Sequence, residues 1–167
     1  HVETSSGIML PDDYLRSLAD AVHSNGGLFV LDCIASGTVW VDMEATGVDV
    51  LISAPQKGWS SSPCAALIMM NQAALDVMAT TTSTSFAANL KQWHMIMQAY
   101  ENGGHAYHAT MPTDALAKFR DTMLETRDYG FAKVKQEQLA LGTAVRELMQ
   151  ELGYKSVAAD GFGAPGV

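Results

Sequence analysis

The chain has 167 residues, a formal net charge of −8 and 48% hydrophobic residues, which suits a globular domain with its own core. The acidic balance argues against a basic nucleic-acid surface, and no apolar run approaches the length of a membrane span. Its 2 cysteines make no disulfide or zinc framework and no secretion signal is visible, so we expect a cytoplasmic protein.

Helix and strand signals alternate in the first half of the chain, which favours an α/β fold with parallel strands. Turn residues separate these elements, and β-branched residues fill the short apolar runs between them. In chain order we predict a helix from Pro11 to Asn25, a strand ending at Asp32, a helical turn at 43–46, a strand ending at Lys57 and an antiparallel third strand at 65–70.

The second half of the chain is predicted to be helical. Apolar residues recur there at helical spacing, and Gly or Asn residues end the periodic stretches. The predicted helices cover 71–79, 90–101, a stretch beginning near Thr113, and 131–152, where Leu141, Val145, Leu148 and Leu152 align on one face.

Two apolar runs in the first half each end in an ionisable residue, Asp32 and Lys57. Parallel strands place their carboxyl ends at one edge of a sheet, where open α/β sheets bind ligands. A pyridoxal phosphate site needs a lysine amine for a Schiff base and an acid that keeps the pyridine nitrogen protonated. Each residue alone is ordinary, since acids cap helices and lysines reach solvent. The pair together favours such a site.

Four sequence motifs follow one another along the chain: HVETSSG at 1–7, LDCIAS at 31–36, SAPQKGWSSSP at 53–63 and YHATMP at 107–112. In this order they resemble the class V aminotransferases, and most of all the alanine–glyoxylate and serine–pyruvate group.

The resemblance implies a pyridoxal-phosphate-dependent transferase of fold type I. Residues 1–112 would be the second half of the large, cofactor-binding domain. Residues 113–167 would be the helical connection to a small C-terminal domain that is truncated here. In such enzymes a Gly-rich phosphate loop lies upstream and a substrate-binding arginine lies downstream. Because the sequence opens at His1 without a methionine, we expect a piece of a longer protein.

The resemblance also implies roles for residues around the cofactor ring. Lys57 matches the lysine that forms the aldimine, and Asp32 matches the acid on the pyridine nitrogen. Ile34 matches the aliphatic side chain on one ring face, and Thr4 matches a hydroxyl residue near the phenolic oxygen. Cys33 follows Asp32 on the strand, so it is expected to face the opposite, buried side.

Three further residues would serve the cofactor phosphate. Gln56 matches a glutamine that contacts it, beside the lysine. Tyr107 and Thr110 match residues that reach the phosphate of the neighbouring subunit's cofactor. The resemblance therefore implies a homodimer with shared sites. His1 and Glu3, in the first motif, are expected to make structural hydrogen bonds.

The implied function is transfer of an amino group between a small amino acid, of the alanine or serine type, and a 2-oxo acid such as glyoxylate or pyruvate. The absence of a histidine directly before Lys57 favours a transaminase over the related cysteine desulfurases.

The sequence gives little support for two other kinds of site, a metal site and a hydrolase site. His105 and His108 lack further metal ligands, so no metal is predicted, and the serines at 60–62 lack a hydrolase pattern. The alternative is a non-catalytic remnant of the fold, acting as a structural or interaction module.

Overall fold

The computed structural model describes residues 1–166, which form a mixed sheet, a small hairpin and six helices. The elements are β1 (Val2–Glu3), β2 (Ile8–Met9), α1 (Asp12–His23), β3 (Val30–Asp32), α2 (Met43–Thr46), β4 (Val50–Ser53), β5 (Leu67–Met70), α3 (Gln72–Thr80), α4 (Leu90–Glu101), α5 (Thr113–Tyr129) and α6 (Phe131–Glu151).

The sheet has the order β3-β4-β5. Strand β3 runs parallel to β4, with Asp32 opposite Ile52. Strand β5 runs antiparallel to β4, with Leu67 opposite Ser53. The predicted α/β class, the parallel pair and the antiparallel third strand are confirmed. Because β3 and β4 are parallel, the chain leaves both of them at the same edge of the sheet.

The predicted extent of the second strand was wrong, since β4 ends at Ser53 and not at Lys57. Pro55 has no N–H to donate to a strand partner, and a compact turn follows it. The Ser61 N–H donates to the Pro55 carbonyl at 3.0 Å, and Ser60 takes a left-handed conformation with φ 53°. Lys57 therefore lies in a turn beyond the strand.

The core lies between α1 and the sheet. Leu15 of α1 is fully buried, and it belongs to one cluster with Leu31 of β3 and Leu51 of β4. Full burial of such a side chain stabilises the fold by about 1.5–3 kcal/mol. Cys33 is buried in the same cluster, on the side of the strand opposite to the exposed Asp32, as predicted. Burial raises the pKa of the Cys33 thiol.

Helix α6 buries a different face from the apolar stripe in its sequence. Leu141 is 63% exposed and Leu152 is also 63% exposed, while Gly142 is buried. The C-terminal segment lies on this glycine: a Cβ on Gly142 would stand 2.4 Å from the Pro165 carbonyl oxygen. The absence of a side chain, and not the leucine stripe, lets the segment approach.

Within residues 1–166 no helix has the length and apolar character needed to cross a bilayer.

Gly142→Ala is expected to lower the free energy of unfolding by about 1 kcal/mol or more. Replacing glycine by alanine inside a helix normally raises the free energy of unfolding by up to about 1 kcal/mol. Here the added methyl group meets the Pro165 backbone, and overpacking costs about 1–3 kcal/mol. Urea unfolding measures the difference. Gly166→Ala is the control, because its nearest neighbour would stand 3.9 Å away. A more stable Gly142→Ala variant would show that the close approach has no energetic consequence.

Candidate functional site

The end of β3 carries the candidate acid. The ladder continues one residue past Asp32, because the Cys33 N–H donates to the Ile52 carbonyl at 2.8 Å. The Asp32 carboxylate accepts the Ile34 N–H at 2.8 Å, which fixes the carboxylate over the turn that follows the strand. Asp32 is exposed and Ile34 is half-buried. The acid thus keeps acceptor capacity for a ligand at this edge.

The turn after β4 carries the candidate amine. Ala54 and Pro55 are buried and hold the turn against the protein, while Gln56 and Lys57 are exposed. The described part of the chain therefore leaves the Lys57 amine exposed. Since β3 and β4 are parallel neighbours, Asp32 and Lys57 follow the same ends of adjacent strands. The structure brings acid and amine to one edge of the sheet.

Aromatic side chains attach this edge to the helices. The Trp59 ring lies 5.6 Å from Phe119 of α5, measured between centroids, and 6.2 Å from Phe131 of α6. Both contacts are edge-to-face, a favourable geometry for aromatic pairs. Phe119 is the buried residue of α5. The loop after Lys57 is therefore held by the helical half of the chain.

Thr4 lies in the turn of the β1–β2 hairpin, and one carboxylate organises that turn. Glu3 accepts hydrogen bonds from the backbone N–H and the hydroxyl of both Ser5 and Ser6. The Ser5 hydroxyl, the Ser6 hydroxyl and the two N–H groups together lower the pKa of Glu3 to about 2. These bonds, all local to the turn, are of the structural kind predicted for Glu3. They fix the backbone on either side of Thr4.

The hairpin is joined to the end of β3 through His1. The backbone nitrogen of His1 donates to the Asp32 carbonyl at 2.7 Å, and Nδ1 of the His1 ring lies 2.7 Å from the hydroxyl of buried Ser36. The hairpin that carries Thr4 is thereby attached to the strand that carries Asp32. Of the seven predicted residues, the structure places four at or just beyond the ends of β3 and β4, namely Asp32, Ile34, Gln56 and Lys57. It places Thr4 in the attached hairpin.

Tyr107 and Thr110 form a separate group. The Tyr107 hydroxyl lies 2.8 Å from Thr110 Oγ1, and Tyr107 is 70% exposed. Between them, His108 packs on Phe86 at 4.2 Å and on Trp93 of α4 at 4.8 Å. Among residues 1–166, neither Tyr107 nor Thr110 hydrogen-bonds to Asp32 or Lys57. The structure does not join this pair to the acid and the amine.

One further observation supports a fit between these residues and pyridoxal phosphate. The Ser61 hydroxyl is buried, and the described part of the chain offers it no hydrogen-bond partner. Buried hydroxyls nearly always have one, so this oxygen is expected to bind a water molecule or a polar group of a ligand. It lies in the same loop as Lys57. An exposed amine and an unsatisfied hydroxyl suit a polar ligand that reacts with amines, and the exposed acid suits a protonated ring nitrogen on that ligand.

A buried cluster that the sequence analysis missed lies at the opposite edge of the sheet. Asp49 is 3% exposed and accepts the Phe29 N–H at 2.7 Å and the Asn71 side-chain N–H at 2.8 Å. His23 Nε2 lies 2.7 Å from the same carboxylate. Burial raises the pKa of Asp49, but the bonds from His23, Phe29 and Asn71 outweigh it and lower the pKa. The one sequence signal was an acid inside an apolar run.

Comparison with known proteins finds transaminases. No protein-family model matches the chain. It is 26% identical to the 2-aminoethylphosphonate–pyruvate transaminase of Phocaeicola vulgatus, over 99% of this chain and 44% of that protein. An alanine–glyoxylate aminotransferase from Nostoc sp. has a TM-score of 0.81 at 23% identity, covering 99% of this chain and 43% of that one. A pyridoxamine–pyruvate aminotransferase from Mesorhizobium loti has a TM-score of 0.82 at 17% identity, covering 99% and 41%.

These likenesses extend over nearly the whole chain, which spans less than half the length of the proteins it matches. The predicted resemblance to a central part of the class V aminotransferases is confirmed. So is the fold: the chain forms part of a fold type I domain, as found in pyridoxal-phosphate-dependent aminotransferases. The structural likeness, below 25% identity, supports the fold and not the activity.

Proposed function

We propose that the protein is a pyridoxal-phosphate-dependent aminotransferase of which this chain supplies the acid and the amine. It transfers an amino group between a small amino acid, of the alanine or serine type, and a 2-oxo acid such as pyruvate or glyoxylate. The observation that supports this proposal most directly is that Asp32 ends one strand and Lys57 follows the same end of the adjacent parallel strand. The names of the matched transaminases, which include pyruvate and glyoxylate, support the choice of acceptor.

When bound, the cofactor supplies an aldehyde for the amino group and an aromatic ring that accepts electrons from the substrate. Lys57 Nζ would hold the aldehyde group until the substrate amine displaces it, and the freed Lys57 amine would then take the proton from the substrate Cα and return it. The Asp32 carboxylate would keep a proton on the ring nitrogen, because an ionised acid stabilises the neighbouring positive charge. Ile34 would be the aliphatic side chain on one face of the ring. Asp32 would act from the end of β3, Ile34 from the loop that follows it, and Lys57 from the turn that follows β4.

The remaining predicted residues belong to the same proposal. Thr4 would contact the phenolic oxygen of the cofactor, and Gln56 would contact its phosphate. Tyr107 and Thr110 would reach the phosphate bound by a second copy, which makes the protein a homodimer. Two observations support this: both residues are exposed, and among residues 1–166 neither hydrogen-bonds to Asp32 or Lys57. We also propose that the protein is cytoplasmic, that residues 1–112 are the second half of the cofactor-binding domain, and that residues 113–167 are the helical connection and the start of a small C-terminal domain.

Pyridoxal phosphate is expected to give the protein a visible absorbance band and to become fixed to one lysine on borohydride reduction. Peptide mass spectrometry then locates the added mass. We expect it on Lys57, because this amine follows the strand adjacent to the one that ends in Asp32, an acid that suits the ring nitrogen. The peptide containing Lys118, an exposed lysine of α5, is the internal control. Labelling spread evenly over both peptides would contradict a site at Lys57.

One observation favours the alternative of a non-catalytic module. Leu141 and Leu148 of α6 and Leu152 directly after it are each at least 51% exposed, and exposed apolar surface is typical of a contact with another protein. The labelling experiment separates the two functions. A module has no need of a reactive amine, so it predicts no band and no preference for Lys57.

A further inference from the structure

The loops that follow β3 and β4 touch through their backbones. A Cβ on Gly58 would lie 2.0 Å from the Gly37 carbonyl oxygen and 2.6 Å from the Gly37 carbonyl carbon. Backbone atoms cannot swing aside as the tip of a side chain can, so only a glycine fits at position 58. Gly37 has φ +61°, which also favours glycine. Gly58 directly follows Lys57, and Gly37 lies in the loop that begins after Asp32.

A second contact joins the same two loops. The rings of Trp40 and Trp59 lie 4.8 Å apart, between centroids, at an interplanar angle of 39°. The first loop is fixed in turn to α6. The Trp40 indole N–H donates to the Phe131 carbonyl at 3.1 Å, and Lys135 Nζ donates to the Trp40 carbonyl at 2.8 Å. The loop after Asp32 is therefore anchored to α6, and the loop after β4, which Trp59 holds against α5 and α6, packs on it.

We propose that the Gly37–Gly58 contact, together with the Trp40–Trp59 pair, sets the position of Lys57 relative to Asp32. Gly58 and Trp59 are positioning residues: they act on the cofactor through Lys57, without contact of their own. This inference rests on the proposed function. Two groups that must hold different atoms of one ring need a fixed separation, and the strands alone do not supply it, because Lys57 lies in a turn beyond Ser53.

The surroundings show how the contact would yield to a larger residue. A cavity of about 170 Å³ lies beneath the two loops, lined by residues that include Cys33, Gly37, Trp40 and Trp59. A methyl group on residue 58 pushes the second loop off the first, and the cavity gives the indole rings room to move. The Lys57 amine shifts with its loop. A displacement of about 1 Å at a reacting group can lower reactivity by about 100-fold.

The test is Gly58→Ala, measured in two ways on the full chain. Circular dichroism in the tryptophan region reports the Trp40–Trp59 arrangement without any cofactor. Absorbance titration gives the dissociation constant of pyridoxal phosphate. We expect a changed tryptophan signal, and a dissociation constant raised at least about 10-fold, since the amine is misplaced. Gly166→Ala, whose added Cβ meets nothing closer than 3.9 Å, is the matched control and leaves both unchanged.

Trp59→Phe provides a second variant if Gly58→Ala does not fold. It keeps an aromatic ring but loses part of the stacking area, so it is expected to weaken cofactor binding in the same direction. An unchanged tryptophan signal in Gly58→Ala, or an unchanged dissociation constant, overturns the inference. If the unsubstituted protein takes up no pyridoxal phosphate, the proposed function fails. The dichroism then decides separately whether the glycine contact sets the loop position.

Discussion

Lys57→Ala is expected to abolish the visible band of bound pyridoxal phosphate and to lower any transaminase activity by at least about 10⁴-fold. The variant loses both the amine that holds the cofactor and the base that moves the substrate proton. A second lysine cannot substitute at the same edge: Lys135, which lies near the loop after β3, is bound to the Trp40 carbonyl at 2.8 Å. Absorbance spectra and single-turnover kinetics measure the two losses.

Two controls separate covalent chemistry from charge. Lys57→Arg keeps a positive charge but carries a guanidinium that stays protonated, so it is expected to lose the band as completely as alanine does. Lys118→Ala removes an exposed lysine of α5 and is expected to leave the band intact. A band that persists in Lys57→Ala would show that another amine holds the cofactor. Loss in alanine but not in arginine would point to electrostatic binding alone.

The part of the site that could be predicted from the sequence is the part set by local pattern. The apolar runs and their glycine boundaries predicted β3 and β4, and a short crossover between them predicted parallel pairing. Asp32 directly ends its strand and could be placed at once. Lys57 could not be placed as accurately, because the pattern did not indicate that the strand would stop at Ser53 and continue as a turn.

The features that the sequence did not predict depend on approaches between distant segments. Nothing around Gly37 or Gly58 indicates that their backbones meet, since glycine is equally common in loops that touch nothing. The apolar stripe on α6 is a similar case. The regular spacing of Leu141 and Leu148 predicts that they share one face of a helix, but it does not predict whether that face is covered. In this chain the covered face is the one where Gly142 admits the C-terminal segment.

Asp49→Ala is expected to lower the free energy of unfolding by about 3 kcal/mol, the usual cost of removing one partner from a buried charged network. The change leaves the Phe29 N–H and the Asn71 amide without their acceptor, at the strand ends opposite to the candidate site. Urea unfolding at neutral pH measures the loss. Asp76→Ala, which removes an exposed acid of α3, is the control and is expected to change stability by less than about 0.5 kcal/mol.

The pH dependence distinguishes this network from simple packing. The folded-state pKa of Asp49 is lowered, so its contribution is fully present above the unfolded pKa of about 3.9 and is lost as the pH falls through the folded value. The difference in stability between the unsubstituted protein and Asp49→Asn should therefore shrink below about pH 4. Glu3, whose pKa is lowered to about 2, titrates in both proteins and cancels. A difference that stays constant down to acid unfolding would mean that Asp49 stabilises the sheet by shape and not by charge.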